Sequence, residues 1–236
     1  MDGGGASGNY KETDFTMDIS KKVKSNLEKA GITVKLTHDE GDIDKNHVMD
    51  EYNKGGRAVI PNEVKSKYTF SIHINKSGSS KVKGIELYTP SDINYDLTKD
   101  IVNNITSNTS LGYSSNRLYK KFDGIYTHNF TEGEVKSAID GYDEKNYKHY
   151  NVTTNSNYLY MIRETGGFMT GAYIDSSNPD KVGVNPYYDS NIGNESYLLE
   201  LGYISNSTDV NTLKEEQDAL AKAISDSIIK EINEKM

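Results

Sequence analysis

The sequence predicts an α/β fold: a single domain with a mostly parallel, twisted sheet flanked by helices and a long Tyr- and Asn-rich insertion. Three observations lead there. Segments with apolar residues every three to four positions alternate with short, strongly apolar or alternating segments, and that order builds sheets with helical crossovers. At 236 residues the chain is long enough to bury a sizeable core. Between residues 107 and 196 the periodicity fades, and eleven of the 18 Tyr fall there among many Asn, Asp, Gly and Ser.

The first helix is predicted over 13–30, where Phe15, Ile19, Val23 and Leu27 recur every four residues. Thr13 or Asp14 suits its start and Gly31 its end. Ile32, Val34 and Leu36 alternate with Thr33, Lys35 and Thr37, the pattern of a strand. After an acidic, irregular stretch, a second helix is expected from about Gly56 to Lys67. Tyr68 to Asn75 and Gly84 to Tyr88 read as strands. Residues 92–106 read as a helix with Leu97, Ile101 and Ile105 on one face. Within 107–196 the pattern predicts surface insertions, a strand from Tyr158 to Arg163 and a short helix near 132–140. Residues 197–204 form an apolar strand, and 209–234 one last helix with Leu213, Leu220, Ile224, Ile228 and Ile232 inward.

Composition removes several classes of function. A net charge of −8 argues against a nucleic-acid binder, which needs a basic stripe. No apolar run approaches the ~20 residues of a membrane span, and mean hydropathy is −0.73. With no Cys, any metal site must use His, Asp and Glu. The N-terminus, Met1-Asp2-Gly3-Gly4-Gly5, has no signal-peptide pattern, so a targeting segment is expected outside this sequence.

Three stretches carry chemistry. In Ser71-Ile72-His73-Ile74-Asn75 the polar residues face one way, near the carboxyl end of a strand, where open α/β sheets bind ligands. A hydrogen-bonded core histidine is an equally good reading of His73. In Tyr197-Leu198-Leu199-Glu200-Leu201-Gly202-Tyr203, Glu200 is a lone carboxylate in an apolar strand. Burial without a partner is costly, so such a residue sits at the strand's wet end, pairs with Lys or Arg, or has a task such as general acid–base work. Glu12 precedes the first helix, where a carboxylate complements the helix dipole and needs no further reason. His38, His47, His128 and His149 lie in polar surroundings and read as surface residues.

Taken in order, these stretches resemble the zinc-dependent N-acetylmuramoyl-L-alanine amidases, which cut bacterial cell-wall peptidoglycan. The similarity includes Gly5-Ala6, Lys11-Glu12, Leu36-Thr37-His38-Asp39, Arg57, Ser71-Ile72-His73-Ile74-Asn75 and Gly84-Ile85-Glu86-Leu87-Tyr88. It resumes at Leu198-Leu199-Glu200-Leu201-Gly202-Tyr203-Ile204-Ser205-Asn206 and the last helix. About half of the chain is covered; each motif alone is weak, and the ordered set is specific.

The resemblance implies a catalytic domain over 1–236, with 107–196 as an insertion within it. It implies one zinc ion, with Glu12 and His73 as ligands and Glu200 as the general base. It also implies a further His upstream of Asp2, because the family's first strand ends in a Gly-His-Gly-Gly-like turn that this chain lacks. Peptidoglycan is then the partner, in a secreted or wall-associated protein, with no nucleic acid and no membrane span. Asn75 and Arg163 are the candidates for substrate binding. Two other readings stand beside this one. One is a non-catalytic relative that binds glycan through its Tyr-rich insertion. The other is a zinc peptidase acting on the stem peptide, in which Arg163 would meet the charged terminus.

Overall fold

The computed structural model describes residues 6–7, 10–37, 60–91, 93–140, 154 and 194–235. The chain runs β1 (Ala6–Ser7), β2 (Tyr10–Lys11), α1 (Thr13–Lys29), α2 (Ile60–Glu63), β3 (Tyr68–Asn75), β4 (Glu86–Tyr88) and α3 (Asp96–Asn108). It continues through β5 (Lys120–Phe122), β6 (Ile125–Tyr126), α4 (Glu132–Asp140), β7 (Glu195–Tyr203), α5 (Ser207–Glu215) and α6 (Gln217–Glu234). The main sheet has the order β3-β7-β4-β6-β5, and β1 and β2 form a separate antiparallel pair. The longest ladder, β3 with β7, is parallel, as is β4 with β6. The β4–β7 and β5–β6 pairs are antiparallel, so the sheet is mixed.

Alternation along the strands gives the sheet two different faces. Ile72, Leu199 and Leu87 pair in register across β3, β7 and β4. Leu87 and Leu199 are fully buried, and Ile72 packs against the same core. Phe70 stacks on its register partner Tyr197 with ring centroids 4.9 Å apart. The helices supply the rest of the core: Phe15, Ile19, Val23 and Leu27 from α1, Leu97, Ile101 and Ile105 from α3, and Leu220, Ile224 and Ile228 from α6. These are the stripes expected from the sequence, and each buried Leu or Ile contributes about 1.5–3 kcal/mol.

Helix α1 ends as predicted. Gly31 takes φ +83°, and the Ile32 N–H bonds back to Leu27 O at 3.0 Å, the left-handed turn that favours glycine. Its start differs. Neither Thr13 nor Asp14 caps it; Asp14 accepts from the Lys11 N–H at 2.8 Å, and Glu12 occupies the capping position without a side-chain cap bond. Residues 32–36 join no ladder among the described residues, although Ile32 and Val34 pack on the core and Lys24 donates to Val34 O at 2.8 Å. Alternation marks which side chains turn inward, but a strand also needs a neighbour to pair with.

Two further differences have physical causes. Residues 120–126, expected in a surface insertion, add two strands to the sheet; they are too short for periodicity to show. The predicted final helix is two helices. The chain breaks at Glu216 (φ −120°, ψ 22°), whose carboxylate accepts from the Ser110 N–H at 2.8 Å and hydroxyl at 2.5 Å. Asn206 caps the first of the two, accepting from Thr208 and Asp209 N–H groups at 3.0 and 3.1 Å.

Asp209 fastens the end of β7 to the turn before β4. Its Oδ2 accepts from the Gly84 and Tyr203 N–H groups, both at 2.8 Å, and the residue is 2% exposed. Gly202 lies against it at φ +88°, where an added Cβ would sit 2.9 Å from the carboxylate. Burial pushes the Asp209 carboxyl above the usual range, and the two N–H donors only partly oppose this. The folded state therefore binds this proton more readily than the unfolded chain. The stability it gives is complete at low pH and is lost as pH rises through the folded value. Chemical denaturation of wild type and Asp209→Asn between pH 7 and 4 should show the gap moving in favour of the wild type on acidification. A constant gap would count against a buried, proton-binding Asp209.

Candidate active site

The second face of the sheet is polar where the first is apolar. His73, Glu200 and Glu86 pair in register across β3, β7 and β4, one residue on from the Ile72–Leu199–Leu87 row. They therefore lie side by side on the opposite face. Glu12, just ahead of α1, reaches the same row. Its Oε1 lies 2.8 Å from His73 Nδ1 and accepts from the Ile74 N–H at 3.0 Å. One helix entrance and three adjacent strands thus place three carboxylates and one imidazole in a line.

Glu200 is half-buried. The apolar residues that flank it in sequence, Leu199 and Leu201, belong to the other face and are fully buried there. Alternation sets Glu200 in the polar row, between His73 and Glu86, with its Oε2 buried.

Glu86 is offered by the sequence only as the second candidate for the base, after Glu200. It is fully buried and accepts from five side chains. Ser114 Oγ (2.6 Å) and the Tyr203 hydroxyl donate to Oε1. Tyr88 OH (2.8 Å), Asn75 Nδ2 (3.3 Å) and Asn116 Nδ2 (3.4 Å) donate to Oε2. Burial, with Glu86 next in importance, raises the Tyr88 and Tyr203 phenols above their ordinary values and pushes Tyr126 up to about 12. All three hydroxyls stay protonated at neutral pH. The signal was present in Gly84-Ile85-Glu86-Leu87-Tyr88, a lone carboxylate in an apolar strand, as in the stretch that pointed to Glu200.

Asn75 belongs to this cage: besides donating to Glu86, its Oδ1 accepts from the Lys76 N–H at 2.7 Å. Arg163 and the predicted strand around it lie outside the described residues, as do His38, His47 and His149. His128, expected at the surface, is tucked in with its side chain 12% exposed, its Nε2 2.9 Å from Glu134. Glu134 closes a capping box at the start of α4, accepting from the Thr131 N–H at 2.8 Å while its own N–H donates to Thr131 Oγ1.

Glu12 and His73 supply the donor types of a zinc site. Two ligands of a tetrahedral zinc, each ~2.0–2.1 Å from it, lie ~3.3 Å apart. The pair stands at 2.8 Å, so a cation would part it by about half an ångström. No group of three or more His, Asp or Glu able to hold a metal occurs among the described residues. The pair thus fits two of the three protein ligands of a catalytic zinc.

His73 and Glu200 lie toward the carboxyl ends of the parallel pair β3 and β7, where open α/β sheets bind ligands, and Glu86 joins them from the amino end of the antiparallel β4. The family model described as N-acetylmuramoyl-L-alanine amidase matches residues 1–230, and the chain belongs to that family of peptidoglycan-cutting enzymes. Solved structures agree in fold. The catalytic domain of CwlV, an N-acetylmuramoyl-L-alanine amidase from Bacillus (Paenibacillus) polymyxa var. colistinus, is 20% identical; the match covers 97% of this chain and 90% of that one at a TM-score of 0.54. The amidase AmiC2 of Nostoc punctiforme is 23% identical, with 98% and 92% covered and a TM-score of 0.57. Cwp6 from Clostridium difficile is 20% identical with a TM-score of 0.57; the match covers 98% of this chain but only 27% of Cwp6. No protein of curated function matches the chain in sequence. No described helix is long and apolar enough to cross a membrane.

Proposed function

We propose that the protein hydrolyses the amide bond between N-acetylmuramic acid and L-alanine in peptidoglycan, with a zinc ion as cofactor. The observation that carries this is the row itself: Glu12 on His73, and His73 in register with Glu200. Glu12 and His73 would hold the metal, with a third ligand from outside the described residues. A zinc ion there supplies Lewis-acid polarisation of the amide carbonyl and lowers the pKa of water.

Glu200 acts as the base. It stands beside the metal pair, takes the proton from the attacking water and passes it to the departing L-alanine nitrogen. Glu86 cannot share this work, because five donors already engage its two oxygens. Asn75 serves the substrate indirectly, through the Glu86 cage that fixes the end of β3. The substrate places the protein outside the cell or in its wall.

Metal analysis of the full-length protein should find about one zinc per chain, as a mononuclear site requires. His73→Ala should lose it. A variant that keeps its metal would remove His73 from the site, and with it this reading of the row.

A further inference from the structure

Large apolar side chains are seldom left exposed together on one element of a protein surface. Here five such side chains are exposed among the described residues, and four of them, Tyr113, Leu118, Tyr119 and Phe122, lie within ten residues. Residues 117–123, around β5, are all exposed. The same stretch carries Arg117, Lys120 and Lys121 against a single carboxylate, Asp123, which pairs with Lys120 at 2.7 Å. The chain as a whole has a net charge of −8, so this is a cationic patch on an acidic protein.

Lysines on an edge strand have an ordinary explanation, since they keep sheets from joining edge to edge. Exposed aromatic residues work against that purpose. These rings are also held in place. Tyr95 meets the Phe122 ring edge-on at 5.4 Å, and Lys99 lies over it at 5.1 Å. Tyr119 packs on His128 with ring centroids 4.0 Å apart, from a backbone at φ +62° that a Tyr rarely adopts. Tyr113 donates its hydroxyl to Asn103 at 2.9 Å. Rings fixed before binding lose little entropy on binding. The segment is also rooted in the polar row, because Ser114 and Asn116 at its base both donate to Glu86.

We infer that the 113–123 segment is a docking surface for the peptidoglycan strand beyond the bond that is cut. Sugar rings would lie on Tyr119 and Phe122, and carboxylates of the stem peptides would meet Arg117, Lys120 and Lys121. This rests on the amidase reading. The fit is one of charge and chemistry: a polymer with flat C–H faces and anionic branches meets aromatic faces flanked by cations.

The test is co-sedimentation of full-length protein with purified sacculi stripped of other wall polymers, in a Glu200→Gln background so that the wall stays intact. Removing both rings (Tyr119→Ala with Phe122→Ala) should weaken binding by ~10-fold or more. Replacing Arg117, Lys120 and Lys121 by Gln should weaken it similarly and flatten its salt dependence. With Glu200 restored, both sets should cut a small soluble muropeptide at the wild-type rate. Wild-type binding by both sets would overturn the inference while leaving the amidase reading in place. So would binding that needs phosphate-bearing wall polymers, or a loss of self-association in place of a loss of sacculus binding. Failure of the intact enzyme to cut the muropeptide, with sacculus binding still dependent on the patch, would retract the amidase reading alone.

Discussion

Glu200→Gln should lower the amidase rate by ~10²–10⁴, the usual weight of general acid–base catalysis, without unfolding the protein or releasing its metal. Gln keeps the length and shape of the side chain, and it cannot accept a proton at neutral pH. Glu200 is half-buried and belongs to the polar face, so the core row of Ile72, Leu199 and Leu87 is untouched. Turnover of a soluble muropeptide, metal content and the denaturation midpoint should be measured on the same preparation. The expected result is a collapse in kcat with the other two unchanged. Near-normal turnover would remove Glu200 as the base. It would not promote Glu86, whose two oxygens are already committed to five donors.

Glu86→Gln should do the reverse and act first on stability. A carboxylate offers acceptor sites on both oxygens, whereas an amide turns one of them into a donor. Whichever way the amide is placed, its NH₂ faces either Ser114 and Tyr203 or Asn75, Tyr88 and Asn116. At least two buried donors then lose their acceptor. At ~1–3 kcal/mol for each, the loss is about 2–6 kcal/mol. Urea denaturation of the variant against the wild type measures it directly. A change under ~1 kcal/mol would show that the cage is looser than these distances describe. The two substitutions make the same chemical change on adjacent strands, so their opposite outcomes separate the carboxylate that works from the one that holds.

The sequence made the helical stripes plain because helices repeat at a fixed spacing. Phe15, Ile19, Val23 and Leu27 are all buried, and so are Leu97, Ile101 and Ile105. The strands carrying His73 and Glu200 were equally legible. What they face was not, since register belongs to pairs of strands and cannot be read from either one alone. That is why Glu86 could be read only as a fallback for the base, and its place opposite Glu200 could not be read at all. Ile32, Val34 and Leu36 show the converse: they have the alternation of a strand, yet residues 32–36 join no ladder among the described residues. β5 and β6 were hidden by their shortness, and the break at Glu216 by a helical pattern that runs on across it. Glu12 was legible only through family likeness. A carboxylate before a helix is ordinary, and its place beside His73 depends on a contact 61 residues away in sequence.

β7 carries core and chemistry on alternate residues, Leu199 and Leu201 to one side and Glu200 to the other. This sets a limit on how the gene can change. Substitutions can be judged one at a time: a swap at Leu199 concerns packing, and a swap at Glu200 concerns catalysis. A single codon gained or lost between Ser196 and Glu200, where the pairing with β3 runs unbroken, has no such separability. It would turn the acid into the core and a leucine into the water, losing fold and activity in one event. Lineages of this protein can therefore drift in composition along this part of β7 but not in its length. Length variation has to accumulate in stretches that no ladder counts.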